Sequence, residues 1–293
     1  MEIGFIGAGT VGTALAIRLS SRGYRVTAVA SRTLASAERL AQAVKSCRAL
    51  PDAQAVADAA DLVFITTPDG AIPQVATQVR WHAGQSVVHC SGADSTDTLQ
   101  PAKHLGAQTG GFHPLQTFAG VKQAVDNLPG STFAIEAEEP LLATLKELAE
   151  ALDGHWIELK ASDKVVYHAA AVLACNYLVT LVKLATDLWQ TFDVDTPEAT
   201  RALIPLLKGT LNNIENIGIP NCLTGPIARG DIGTIQKHLK ELGATAPSLV
   251  STYRELGLQT IPVALAKGKI DKARAEELRA VLRQPAAVTG KGR

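Results

Sequence analysis

The chain has 293 residues, enough for a large domain and a smaller second one. Its 28 basic and 28 acidic side chains cancel, and no basic run with interleaved aromatics is present to counter a phosphate backbone, which argues against nucleic acid as a partner. The four cysteines, Cys47, Cys90, Cys175 and Cys222, form no C-x-x-C pair, which argues against a zinc site or a disulfide framework.

The first residues, MEIGFIGAG, run directly into a glycine-rich turn with no charged leader or long apolar segment, so the sequence reads as cytoplasmic. Short apolar runs then alternate with amphipathic stretches: Ile3 to Ile6, Arg25 to Ala30, Asp61 to Thr66, Ser86 to Cys90 and Thr132 to Ile135. Such runs, bounded by Gly, Pro and Asp and separated by helices, predict a doubly wound α/β domain with a parallel sheet covered on both faces. After Trp156 to Leu159 the strand signals stop, and the chain reads as helix almost to its end. The expected organisation is an α/β nucleotide-binding domain over 1–160, a helical substrate and dimerisation domain over 161–286, and a disordered tail over 287–293. Ser162 or Asp163 is placed to cap the first of these helices. Breaks are expected at 193–197, 218–230 and 243–247. The most apolar stretch, Ala169 to Leu188, contains Asn176, Lys183 and Asp187, and so reads as a packed helix rather than a membrane span.

The strongest motif is Gly7-Ala8-Gly9-Thr10-Val11-Gly12, a G-x-G-x-x-G that follows a strand and opens a helix. In a Rossmann fold Gly7 permits the tight turn, Gly9 lets backbone approach a pyrophosphate, and Gly12 allows close helix packing. Where an NAD site places a carboxylate after the second strand, this chain has Ser31-Arg32-Thr33. Ser31 can donate to a 2′-phosphate and Arg32 can pair with its charge, so NADP is the expected cofactor.

Ligands of open parallel sheets sit beyond the carboxyl ends of the strands. Thr67 and Pro68 follow one strand and Ser91 another, and both places suit the nicotinamide end. The segment Gly110 to Phe118 is read as a further loop. There His113 can bond a carbonyl or transfer a proton, or sit as an ordinary turn histidine; Gln116 lies beside it. On the first C-terminal helix Lys164 and His168 are four residues apart and share a face, with Ala171 and Cys175 leaving room further along. That helix is apolar nearly all round, which predicts burial. Asn176 lies about a third of a turn off that line at 3.6 residues per turn, and either ties helices together or reaches a substrate. Leu223 to Asp231 makes a sharp loop, with Thr224 near its start. Its Arg229 can clamp a substrate carboxylate or pair with Asp231, and Asp231 can cap the next helix.

The strings GFIGAGTVG, GFHPLQTF, KVVYHAAAVLACNY and LTGPIARGD resemble, over essentially the whole chain, a family of Rossmann-like proteins with a C-terminal domain of unknown function. Its wider relatives are pyrroline-5-carboxylate reductases, ketopantoate reductases, prephenate dehydrogenases and the 6-phosphogluconate and β-hydroxyacid dehydrogenases, whose helical domain usually dimerises. The resemblance implies a catalytic or orienting role for His113 and a matching position for Ser91, as in prephenate dehydrogenases. Lys164 stands at the catalytic-lysine position of β-hydroxyacid dehydrogenases, and His168 replaces their usual asparagine. The loop from Leu223 is similar to the substrate-binding segment of pyrroline-5-carboxylate reductases near the subunit interface. The expectation is a homodimeric NADP(H)-dependent oxidoreductase acting on a small, anionic metabolite, with Lys164, His168 and His113 as catalytic candidates. The alternatives are a catalytically silent NADP(H)-binding dimer and a pyrroline-5-carboxylate reductase-like enzyme.

Overall fold

The computed structural model describes residues 1–284, so the tail expected at 287–293 and the last two residues of the helical domain lie outside the described residues. The chain divides into two compact units, the first spanning Met1–Asn176 and the second beginning at Tyr177. The strands end at Glu158, close to the boundary expected at 160, but the division falls later because the next helix anchors Lys164 in the first unit.

The first unit alternates strands and helices: β1 (Glu2–Ile6), α1 (Thr10–Ser21), β2 (Arg25–Ala30), α2 (Leu34–Ala43), β3 (Arg48–Ala49), α3 (Ala53–Asp58), β4 (Leu62–Ile65), α4 (Ile72–Gln78), β5 (Ser86–His89), α5 (Gln100–His104), β6 (Gln108–Leu115), α6 (Val121–Asn127), β7 (Thr132–Ala137), α7 (Leu141–Ala151) and β8 (His155–Glu158). They form one sheet of order β3-β2-β1-β4-β5-β6-β7-β8. The order reverses at β1, which leaves a crevice beyond the ends of β1 and β4. The wholly buried run Leu62-Val63-Phe64-Ile65 illustrates why such strands read as unbroken apolar segments. Its alternate side chains enter different clusters, Phe64 joining Phe5, Phe112 and Leu145, and Val63 and Ile65 joining Ile72 and Ala76.

The sheet departs from the sequence expectation in two ways. It is mixed, because β7 runs antiparallel to β6. Of the segment expected as a loop, Gly110 to Phe118, the first six residues, Gly110 to Leu115, belong to β6 and pair on β7 from Gly110↔Ala137 to Leu115↔Thr132. Its glycines are not turn residues. A Cβ on Gly110 would lie 3.1 Å from Leu145 and 3.2 Å from Leu141 of α7, and one on Gly111 would lie 3.2 Å from Lys164 Nζ. Pro114 is tolerated because pairing with β5 ends at Gly111, so one side of the strand has no partner there.

After β8 the chain forms α8 (Lys164–Ala171), a π-helical turn over Val172–Asn176, and α9 (Tyr177–Gln190), continuous as a helix over Ala161–Gln190. The capping expected from Ser162 or Asp163 is absent. A 3-10 turn precedes α8, and the Ser162 hydroxyl donates to the Asp163 carboxylate instead. The expected burial is also absent within the chain: Val165, Val166 and Leu173 are 67%, 73% and 65% exposed, and by length and composition this helix could cross a membrane. Among the described residues none covers them.

The second unit continues with α10 (Thr196–Ile217), α11 (Ile232–Thr245), α12 (Val250–Ala266) and α13 (Lys272–Arg283). Its core gathers Ile227, Ile235, Ile261, Leu278 and Leu282. Asp231 caps α11 as its sequence suggests, accepting hydrogen bonds from Thr234 N–H at 3.0 Å and Thr234 Oγ1 at 2.7 Å.

Candidate active site

The glycine-rich turn is built around one threonine. Gly7 has φ +113°, and a Cβ there would lie 2.7 Å from the Thr66 carbonyl. A Cβ on Gly12 would lie 2.3 Å from Thr66 Oγ1 and 2.6 Å from the Gly7 oxygen. Gly12 therefore lets α1 close on the loop after β4 as well as on its own strand, and Thr66 Oγ1 donates to the Gly7 carbonyl at 2.8 Å. Gly9 is different: a Cβ would meet nothing closer than 4.0 Å. Gly9 is the N-cap of α1, no side chain caps that end, and no acid occupies its first turn. The unpaired N–H groups and positive dipole end are thus available to an anion.

Two further observations fit a dinucleotide here. Thr67 Oγ1 is buried without a hydrogen-bond partner at the mouth of the crevice. Beyond β2, Arg32 and Thr33 are exposed, Ser31 is half-buried, and the first turn of α2 holds no carboxylate. Pro68, which follows Thr67 in the chain, is exposed.

The loop after β5 carries a buried network. Ser91 Oγ donates to Asp69 Oδ2 at 2.9 Å and accepts from Asp94 N–H at 3.0 Å. Lys164 is 1% exposed, and its Nζ donates to the Ser91 carbonyl at 2.9 Å. Burial holds the Lys164 pKa below the usual lysine range, opposed by the nearby Glu136, Asp94 and Asp69 charges. His89 lies fully buried beneath this loop, with Nδ1 accepting from Ser91 N–H at 3.2 Å and Nε2 unpaired. Burial, reinforced by the Lys164 ammonium, lowers its pKa to about 3, so it is neutral.

A cleft of 620 Å3 opens beside that loop, bordered by His113, Tyr167, His168 and Asn176 as its principal polar side chains. No Lys, Arg, Asp or Glu of the described residues borders it. His113 Nδ1 and the Tyr167 hydroxyl share a hydrogen bond of 2.8 Å, with ring centroids 5.6 Å apart and nearly perpendicular. The His168 ring stands 6.1 Å from that of His113. Both histidines pack on Gly92, where a Cβ would lie 2.6 Å from His168 Cδ2 and 2.8 Å from His113 Nε2. Burial, aided by Lys164 and His168, lowers the His113 pKa to about 4, and burial raises that of Tyr167 to about 12.

The structure thus brings His113 and His168 together, and Lys164 and His168 meet the same loop at Ser91 and Gly92, as an i, i+4 pair can. Asn176 borders the cleft although a straight α-helix would turn it away. The π-turn over Val172–Asn176 takes more residues per revolution and delays the rotation. Gln116 also borders the cleft, but its amide donates to the Asn127 carbonyl and Ser131 Oγ and so ties the strand end to α6. Thr224 and Arg229 are exposed in the second unit, and Arg229 lies near Lys269 and Arg274. The sequence reading did not single out Tyr167; the signal available was its place three residues after Lys164.

Comparison with known proteins agrees with this architecture. Residues 1–114 match the Rossmann-like domain family, and residues 131–260 match the domain of unknown function DUF2520. The chain is a Rossmann-like domain followed by DUF2520. No curated protein sequence gives a significant match. Among solved structures, a Bacteroides fragilis protein assigned as an NADP oxidoreductase is 28% identical, with TM-score 0.72 over 89% of this chain and 98% of its own. An Aspergillus terreus reductive aminase in complex with NADPH and ethyl levulinate shares the fold at 18% identity, with TM-score 0.65 over 96% and 98%. A Plasmodium falciparum pyrroline carboxylate reductase with NADP bound does so at 13% identity, with TM-score 0.58 over 96% and 98%.

Proposed function

We propose that the protein is an NADP(H)-dependent oxidoreductase that moves hydride between the nicotinamide and a carbonyl, imine or alcohol carbon of a small metabolite. The observation that carries this reading is the uncapped start of α1 at Gly9, with Gly7 and Gly12 shaped to the Thr66 loop and Arg32 standing where an NAD site has an acid. In it, the backbone of Gly7, Ala8, Gly9, Thr10, Val11 and Gly12 holds the pyrophosphate, and Ser31, Arg32 and Thr33 hold the 2′-phosphate. Thr67, Pro68 and the Ser91 loop face the nicotinamide end. The cofactor supplies the hydride, while the protein binds, orients and handles the proton. Lys164 fixes the Ser91 loop through its buried Nζ hydrogen bond to the Ser91 carbonyl, and His168 shapes the cleft wall with His113.

Fluorescence titration with NADPH and NADH tests the assignment. NADPH is expected to bind at least about tenfold more tightly, a difference of about 1.4 kcal/mol, and Arg32→Ala to erase that preference. Absence of binding by either nucleotide would sink the proposal. A catalytically silent NADP(H)-binding protein is favoured by one observation, the burial of Lys164 against Ser91. It predicts nucleotide binding without oxidation of NADPH by any aldehyde, ketone or imine.

A homodimer is the further part of this reading. Its support is the exposed apolar row Val165, Val166, Leu173, Tyr177 and Val179. The same helix carries Lys183 paired with Asp187 at 2.5 Å, which suits a partner helix better than hydrocarbon. Light scattering in detergent-free buffer should give twice the chain mass; a monomer, or a requirement for detergent, would count against it.

A further inference from the structure

The proton that must accompany hydride needs a donor with access to the cleft, and three of the groups described above are candidates. Lys164 is 1% exposed, does not border the cleft, and spends its Nζ on the Ser91 carbonyl. His113 borders the cleft, yet its Nδ1 is engaged by the Tyr167 hydroxyl. Tyr167 borders the cleft and holds its hydroxyl 2.8 Å from His113 Nδ1. We propose that Tyr167, backed by His113, is the group that donates a proton to the substrate heteroatom, and that Lys164 is a positioning residue for the Ser91 loop. This rests on the oxidoreductase reading for the reaction, although the pair itself stands on its own geometry.

With the proton on His113 Nδ1, the imidazole donates to the phenol oxygen and leaves the phenol O–H free to donate into the cleft. When bound, the reduced nicotinamide would supply the hydride to the carbonyl or imine carbon. The heteroatom then takes the Tyr167 proton as that O–H bond breaks. The phenolate recovers a proton from His113 Nδ1 while Nε2 takes one from solvent, so the imidazole changes tautomer and never carries net charge. The sum is one hydride and one solvent proton added across the double bond. Neutral forms of both groups at neutral pH suit this relay, since burial disfavours the phenolate and the imidazolium alike. Gly92 completes the arrangement, because any side chain there would occupy the space beside Nε2.

The test uses the full-length, nucleotide-free protein and isobutyramide, an uncharged carbonyl mimic that cannot be reduced by hydride. Nitrogen NMR of the ¹⁵N-histidine protein follows His113 during titration. The wild type should show saturable shifts of both His113 nitrogens. Tyr167→Phe should weaken isobutyramide binding at least about tenfold, whereas Glu138→Gln, an exposed residue that does not border the cleft, should retain it within about threefold. Isobutyramide binding that is unchanged in Tyr167→Phe, or absent from the wild type, would overturn the proposal. Because Tyr167→Phe removes one oxygen, a circular dichroism melt beside the wild type identifies any loss that reflects unfolding; His113→Gln, which removes the tautomer exchange, is then the second variant and should also lose the probe. Failure of NADPH to bind, measured separately, would remove the oxidoreductase reading while leaving the isobutyramide result readable.

Discussion

Gly12 shows how little space separates a binding turn from a disrupted one. A methyl group there would lie 2.3 Å from Thr66 Oγ1 and 2.6 Å from the Gly7 carbonyl, and only the first of these can swing aside. Gly12→Ala should cost about 1–3 kcal/mol of stability by overpacking, read as a lower melting temperature, and weaken NADPH binding more than tenfold by displacing the start of α1. The buried histidines give a pH prediction. The folded-state pKa values of His89 and His113, about 3 and about 4, lie below the ordinary value of 6.5, so the unfolded chain binds more protons as pH falls. Their contribution is complete above pH 6.5 and is lost progressively toward pH 4 and then 3, each unit of separation being worth about 1.4 kcal/mol. Urea titrations between pH 8 and pH 4 should therefore show falling stability, and His89→Gln should flatten the slope. The glycines and Arg32 were legible in the sequence because backbone constraints and a missing acid leave local marks. Tyr167 was not, because its partner is 54 positions away and nothing local announces the hydrogen bond.

At the scale of elements, β6 is the instructive case. Two glycines with a proline three residues on carry ordinary turn chemistry, and the sequence cannot show that α7 and Lys164 press on opposite sides of them. Tertiary contact overrode local preference, and His113 became a strand residue held in register by β7. The π-turn was equally hidden, since a helical repeat of 3.6 is assumed in any angular argument. The cap of α11 was legible because an aspartate before an apolar run has a local meaning. Asp231→Ala removes acceptors for both Thr234 groups and should lower the melting temperature of the second unit. Differential scanning calorimetry checks this. No change in melting temperature would mean that water replaces the cap.

For the molecule as a whole, the alternation of strands and helices followed by helices alone was enough to read the Rossmann-like half and the helical half. What it could not convey was that the apolar helix after β8 lies uncovered, because hydrophobicity marks a surface for burial without saying by what. If a second copy covers it, Val166→Glu should place a charge in that interface and convert the population to monomer by light scattering. A dimer that persists would move the interface elsewhere.

The cysteines give this architecture a built-in chemical handle. Burial pushes the Cys47 and Cys90 thiols up to about 11 and about 12, so both remain protonated and unreactive near neutral pH. Cys175 borders the cleft and Cys222 belongs to the second unit. In a Cys222→Ser variant, a thiol-reactive fluorophore would therefore be directed to one wall of the cleft. Its emission would track occupancy in real time, turning an unknown ligand into something that can be screened for by colour.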